Sequence, residues 1–166
     1  MSHIILFICT GNYYRSRFAE MYFNARAAGI GLPWKAVSRG IATDLGTGNI
    51  GPISPLVPKK LEALGIRMEG DGRAPVQLEE TDLAEADLVI ALNAAEHRHL
   101  MTERFAQWTD QILYWNVPDL NLMEAEEALS RIGNNVTVLV QQLRNHSISS
   151  QCNDALVSPR TAASER

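Results

Sequence analysis

The sequence predicts an α/β protein in three layers: a small, roughly four-stranded parallel sheet with helices on both faces. Three observations carry that prediction. Short apolar runs of strand type, Ile4–Ile8 and the stretch from Asp87 to Leu92, alternate with longer segments whose apolar residues recur at helical spacing. Gly- and Pro-rich loops separate them, the largest running from Gly40 to Pro55. At 166 residues and 46% hydrophobic composition, the chain can bury one proper core.

The elements follow in order. A strand over 4–8 leads to a helix from about 16 to 28, in which Phe18, Met21, Tyr22 and Ala25 share one face. A strand near 35–38 and a helix near 56–64 come next, then a short irregular stretch and a strand near 73–76. After the strand at 87–92, Asn93 with Glu96 forms an N-cap pattern. The helix it opens presents Ala94, His97, Met101 and Phe105. Gln111 to Trp115 reads as the final strand. The last helix starts near Leu122 and carries Leu129, Ile132, Val136, Leu139, Val140 and Leu143, with Gly133-Asn-Asn135 as an interruption expected to bend or weaken it. From His146 the apolar period ends, so residues 1–146 are expected to form the domain and 147–166 a disordered tail.

A formal charge of −4 with no offsetting basic face argues against nucleic acid as a partner. No apolar run approaches a membrane span, and the first residues lack the pattern of a secretory leader, so a soluble, cytoplasmic protein is expected. The two cysteines, Cys9 and Cys152, are too far apart in sequence to suggest a disulfide framework or a metal site. His97 and His99, two apart on a helix, face different ways and do not make a metal pair.

The segment Cys9-Thr10-Gly11-Asn12-Tyr13-Tyr14-Arg15-Ser16 joins the first strand to the first helix. Such a turn directs backbone N–H groups and the positive end of a helix dipole at whatever sits in it. A cysteine placed there suits nucleophilic attack as a thiolate. Arg15 can hold two phosphate oxygens, and Ser16 can donate a hydrogen bond to the sulfur. Gly11 and Asn12 permit the tight, left-handed backbone such a loop needs. In open α/β sheets ligands lie beyond the carboxyl ends of strands, where Cys9 falls. The residues together point to a cysteine-dependent phosphatase. Asp119, after the last strand and preceded by Pro118, is the candidate acid for the leaving group; position alone equally allows a helix cap.

This phosphate loop at the start of the chain resembles that of low-molecular-weight protein tyrosine phosphatases. The similarity extends, more weakly but in order, through Trp34–Ser38, Leu64-Gly-Ile66, Asp87–Leu92 and Val117-Pro-Asp119, to about Leu143. It implies a Rossmann-like phosphotyrosine phosphatase I fold and hydrolysis of protein phosphotyrosine or aryl phosphate monoesters through a phosphocysteine. It implies Cys9 as nucleophile, Asp119 as acid and then base, and phosphate binding by the loop from Thr10 to Ser16. Tyr13 would line the mouth, Asn12, Ser16 and Ser38 would support the loop, and inorganic phosphate or another oxyanion would bind there. Neither metal nor other cofactor is called for, since loop and Arg15 meet the charge.

The chain also departs from the family pattern. Leu120 and Asn121 stand where a proline and an aromatic usually follow the acid, and Arg17 where a proline usually starts the helix. No supporting histidine is evident around Glu69–Gly72, and Tyr14 replaces the loop's usual second cysteine. A weakly active or non-catalytic phosphate-binding member of the fold is the main alternative. An arsenate reductase is disfavoured because no cysteine lies between Cys9 and Cys152.

Overall fold

The computed structural model describes residues 1–46, 48–68, 72–119 and 124–156, with side chains described as far as Ser149. Its four strands are all parallel, in the order β2 (Trp34–Gly40), β1 (His3–Cys9), β3 (Leu88–Ala91), β4 (Leu113–Tyr114). Five helices connect them: α1 (Arg15–Gly29), α2 (Leu56–Ala63), α3 (Glu80–Glu85), α4 (Ala94–Arg104) and α5 (Ala125–Leu156). The sheet, the parallel pairing and the three layers match the expected fold class.

Strand β1 is central, and its alternation divides the core. Ile5 and Phe7 face a cluster completed by Phe18, Phe23, Val57, Leu61, Leu129, Ile132 and Val136, so α1, α2 and α5 cover that side. Leu6 and Ile8 face the opposite way, onto Leu83 of α3 and Met101 of α4. Residues Ile5 to Ile8 are fully buried, which explains a continuous apolar run rather than an alternating one.

Four expectations change. The segment near 73–76 is not a strand. It runs beside the end of β2, with Gly40 N–H on the Val76 carbonyl (2.9 Å), Leu78 N–H on the Gly40 carbonyl (2.8 Å) and a single bridge between Gly40 and Gln77. The Val76 N–H instead goes to the Asn12 side chain at 3.1 Å, which diverts it from ladder pairing. Helix α3 was not anticipated; a reciprocal capping box of Glu79 and Asp82 starts its six residues. At α4 the Asn93 side chain makes no cap hydrogen bond. The buried His97 accepts the Asn93 N–H at Nδ1 (3.0 Å), which leaves Glu96 for another task.

The fourth change is α5, which passes through Gly133 without interruption and continues to Leu156, beyond the expected end of the domain at 146. Residues 157–166, and the expected helix start at Leu122, lie outside the described residues. Gly133 packs over the stacked rings of Phe18 and Tyr22, which are 5.6 Å apart. Tertiary burial there outweighs the low helix propensity of glycine.

Two predictions follow from this packing. A Cβ at Gly133 would lie 3.7 Å from Tyr22 and 3.9 Å from Phe18, which is ordinary contact. Gly133→Ala is therefore expected to stabilise the protein by about 0.5–1 kcal/mol, read as a raised urea midpoint at unchanged slope. Burial, with a smaller push from Arg15, holds the His97 pKa below its ordinary value, against the pull of Glu96. The unfolded chain then takes up a proton that the native state refuses, so stability falls as pH drops below about 6.5. Urea midpoints measured between pH 5 and 7 should rise with pH, and His97→Gln should flatten that rise.

Candidate active site

The loop from Cys9 to Ser16 begins at the last residue of β1 and enters the first turn of α1, so both ends are fixed by buried secondary structure. Its turn depends on Asn12, the residue with φ 52°, a left-handed conformation that asparagine tolerates better than most. The Asn12 side chain is completely buried, yet every hydrogen-bonding position on its amide is used. Its Nδ2 donates to Ser16 Oγ (2.9 Å) and Ser38 Oγ (3.0 Å). Its Oδ1 accepts from Arg73 Nη1 (2.8 Å) and from Val76 N–H (3.1 Å). Strand β2 supports the loop from below, and a Cβ at Gly40 would stand 2.9 Å from the Thr10 carbonyl, so that approach needs glycine.

Cys9 Sγ lies 2.9 Å from Ser16 Oγ. Either group can donate in this contact, and toward a Cys9 thiolate the donor is the serine hydroxyl, whose oxygen also accepts from Asn12. Arg15 is almost wholly buried, with Glu96 bound across both terminal nitrogens at 3.0 and 3.1 Å. Burial would lower the Arg15 pKa, but the Glu96 contact, with Cys9 and Asp119 nearby, outweighs it and raises the value. Glu96 is held well below the usual carboxylate range. Its partial burial opposes that shift, but contacts with His97, Arg15 and Thr10 prevail. Asp119 Oδ2 stands 3.8 Å from Arg15, and its Oδ1 accepts from the Tyr14 hydroxyl at 2.6 Å.

These groups meet at one cavity of about 190 Å³. It is lined by Cys9, Thr10, Gly11, Tyr13, Tyr14 and Arg15 of the loop, by Leu45, Gly46 and Asn49, and by Glu96 and Asp119. Tyr13 lines the mouth and donates from its hydroxyl to the Ile50 carbonyl at 2.7 Å. Asn12, Ser16 and Ser38 lie behind the cavity, joined by the hydrogen bonds above. Leu120, Asn121 and Glu69–Asp71 lie outside the described residues. Such a set of thiol, guanidinium and carboxyl groups can bind an oxyanion, attack it and exchange a proton with it.

Three residues in the site were given no role there by the sequence. Arg73 donates to Asn12 and Ser38 and pairs with Glu20 (3.2 Å), while Ser38 donates to the same Glu20 oxygen at 2.7 Å. Arg73 thus ties the loop where no supporting histidine was evident. Arg17, at the position of the expected proline, is fully buried and donates to the carbonyls of Asn12 (3.4 Å), Pro52 (3.2 Å) and Arg73 (2.7 Å). Burial and the neighbouring Arg73 lower its pKa to about 10. Glu96 read as half of a capping box. Only a pairing 81 residues along the chain gives it its place beside Arg15.

Among the described residues, no helix is long and apolar enough to cross a membrane. Residues 4–150 match the low molecular weight phosphotyrosine protein phosphatase family. A protein-arginine-phosphatase of Bacillus subtilis (strain 168) is 29% identical over 108 residues, which cover 65% of this chain and 67% of that protein. Among solved structures, the low molecular weight protein tyrosine phosphatase from T. tengcongensis is 29% identical with a TM-score of 0.68, over 87% of this chain and 99% of its own. YfkJ from Bacillus subtilis is also 29% identical, with a TM-score of 0.72 over 88% and 97% of the two chains. The match spans nearly all of the α/β domain and includes the loop from Cys9 to Ser16, so the chain belongs to the low molecular weight phosphotyrosine protein phosphatase family.

Proposed function

We propose that this protein hydrolyses phosphotyrosine in proteins, and aryl phosphate monoesters, through a phosphocysteine intermediate. The observation that carries the reading is the convergence of Cys9, Arg15 and Asp119 on one cavity at the carboxyl end of β1. The substrate phosphate docks on loop N–H groups and Arg15, and the Cys9 thiolate attacks phosphorus opposite the leaving oxygen. As the sulfur–phosphorus bond forms and the phosphorus–oxygen bond breaks, Asp119 gives its proton to the phenolate. The Asp119 carboxylate then takes a proton from water, whose oxygen attacks phosphorus and releases phosphate and the thiolate. Negative charge on the transferring group is met throughout by Arg15 and the loop. The Tyr14 hydroxyl holds Asp119 over the loop, a support not anticipated from the residues after the acid.

A second reading has its own support. Glu96 and Asp119 both line the cavity, and Arg15 is the sole cation among the described residues that line it. Two carboxylates would accommodate a positively charged leaving group, and a relative is a protein-arginine-phosphatase. Phosphoarginine in proteins is therefore the competing substrate class.

The deciding experiment is metal-free hydrolysis of p-nitrophenyl phosphate by the reduced protein, followed by phosphotyrosine and phosphoarginine peptides. Turnover should vanish in Cys9→Ser, and kcat should fall roughly 10²- to 10⁴-fold in Asp119→Asn. Persistent turnover in folded Cys9→Ser would overturn the mechanism, and preference for the phosphoarginine peptide would replace the substrate. Arg73→Ala removes charged hydrogen bonds worth about 1.5–3 kcal/mol from the loop support. It should raise KM and lower kcat/KM by about tenfold or more, measured on the same ester.

A further inference from the structure

The guanidinium of Arg15 has five N–H bonds in a rigid plane, and three have definite destinations. Nη1 gives one hydrogen to Glu96 Oε2 (3.0 Å) and one to the Val117 carbonyl (3.3 Å). Nη2 gives one to Glu96 Oε1 (3.1 Å). The two that remain, on Nε and Nη2, lie parallel along one edge of the fork. Nε is buried and finds no hydrogen-bond partner among the described residues. An unpaired buried donor costs stability unless a ligand satisfies it, and two parallel N–H bonds match two oxygens of a phosphoryl group.

We propose that Glu96 is the positioning residue of this site, holding the far edge of Arg15 so that the Nε–Nη2 edge faces the substrate phosphoryl group. The inference rests on the phosphatase reading above and goes beyond it. Glu96 stands in the first turn of α4, where the helix terminus favours its charge. Its Oε1 also accepts from the Thr10 hydroxyl, so one carboxylate braces the first and the sixth residues after the nucleophile. A carboxylate on the cavity wall invites the opposite idea, that it competes with phosphate for Arg15. The geometry separates the two, because Glu96 occupies the terminal edge of the fork and not the side edge, where Nε has no hydrogen-bond partner among the described residues and Asp119 Oδ2 stands 3.8 Å from Nη2.

Titration calorimetry with inorganic phosphate distinguishes these cases without requiring turnover. Removing a negative charge beside an anion site would, by charge alone, tighten phosphate binding. If Glu96 positions Arg15, Glu96→Ala instead weakens it roughly 10- to 100-fold, and Glu96→Gln, which keeps one acceptor, falls between. Lysine cannot present a fork, so in an Arg15→Lys background the same Glu96 changes should alter phosphate affinity by less than about twofold. Tighter binding in Glu96→Ala or Glu96→Gln would make Glu96 a competitor, and equal losses in both backgrounds would make its role merely structural; either overturns the proposal. Thermal melts confirm that each variant is folded, and Glu96→Gln carries the test if Glu96→Ala is not. Should the wild type bind phosphate with this dependence yet hydrolyse no ester, the positioning role stands and the phosphatase reading fails.

Discussion

A single buried amide organises the functional end of the molecule. Asn12 adopts the one left-handed non-glycine backbone among the described residues, and its side chain joins the loop to β2, to α1 and to the segment at 73–76. Out of water, each of these polar groups would be costly alone. Together they form a closed set in which serine hydroxyls, an amide and a guanidinium satisfy one another. The conformation of the loop thus belongs to the tertiary fold rather than to the loop itself.

Around that set lie three arginines, each restrained differently. Arg15 is held by a carboxylate on α4, Arg73 by Glu20 on α1, and Arg17 by three backbone carbonyls. Arg15 and Arg17 are buried while Arg73 is exposed, and burying the first two beneath one loop is unfavourable unless they are paired or bound to acceptors. Of the three, Arg15 lines the cavity, where it stands beside Glu96 and Asp119, and the chain carries a net charge of −4.

How much of this was legible in the sequence depends on range. The apolar run from Ile4 to Ile8 and the motif from Cys9 to Ser16 are local, and periodicity and spacing revealed both, with Ser38 and Asp119 placed by likeness to a family. Arg73, Arg17 and Glu96 were not legible, because each has defining partners between 35 and 86 residues away. Glu96 was actively misleading, since a local rule for helix starts offered it a cap to make. Gly133 misled in the opposite sense: a poor helix former continues a helix because two aromatic rings pack against it.

Tyr13 and Tyr14 are neighbours in the chain, but their hydroxyls reach opposite walls, one to the Ile50 carbonyl and the other to Asp119. The rims of the cleft are therefore lashed to consecutive residues of the same turn. Moving either segment away from the loop requires one of these hydroxyls to release its partner. One short stretch of backbone thereby supplies the cysteine of the cavity and both of the tyrosines that tie its surroundings together.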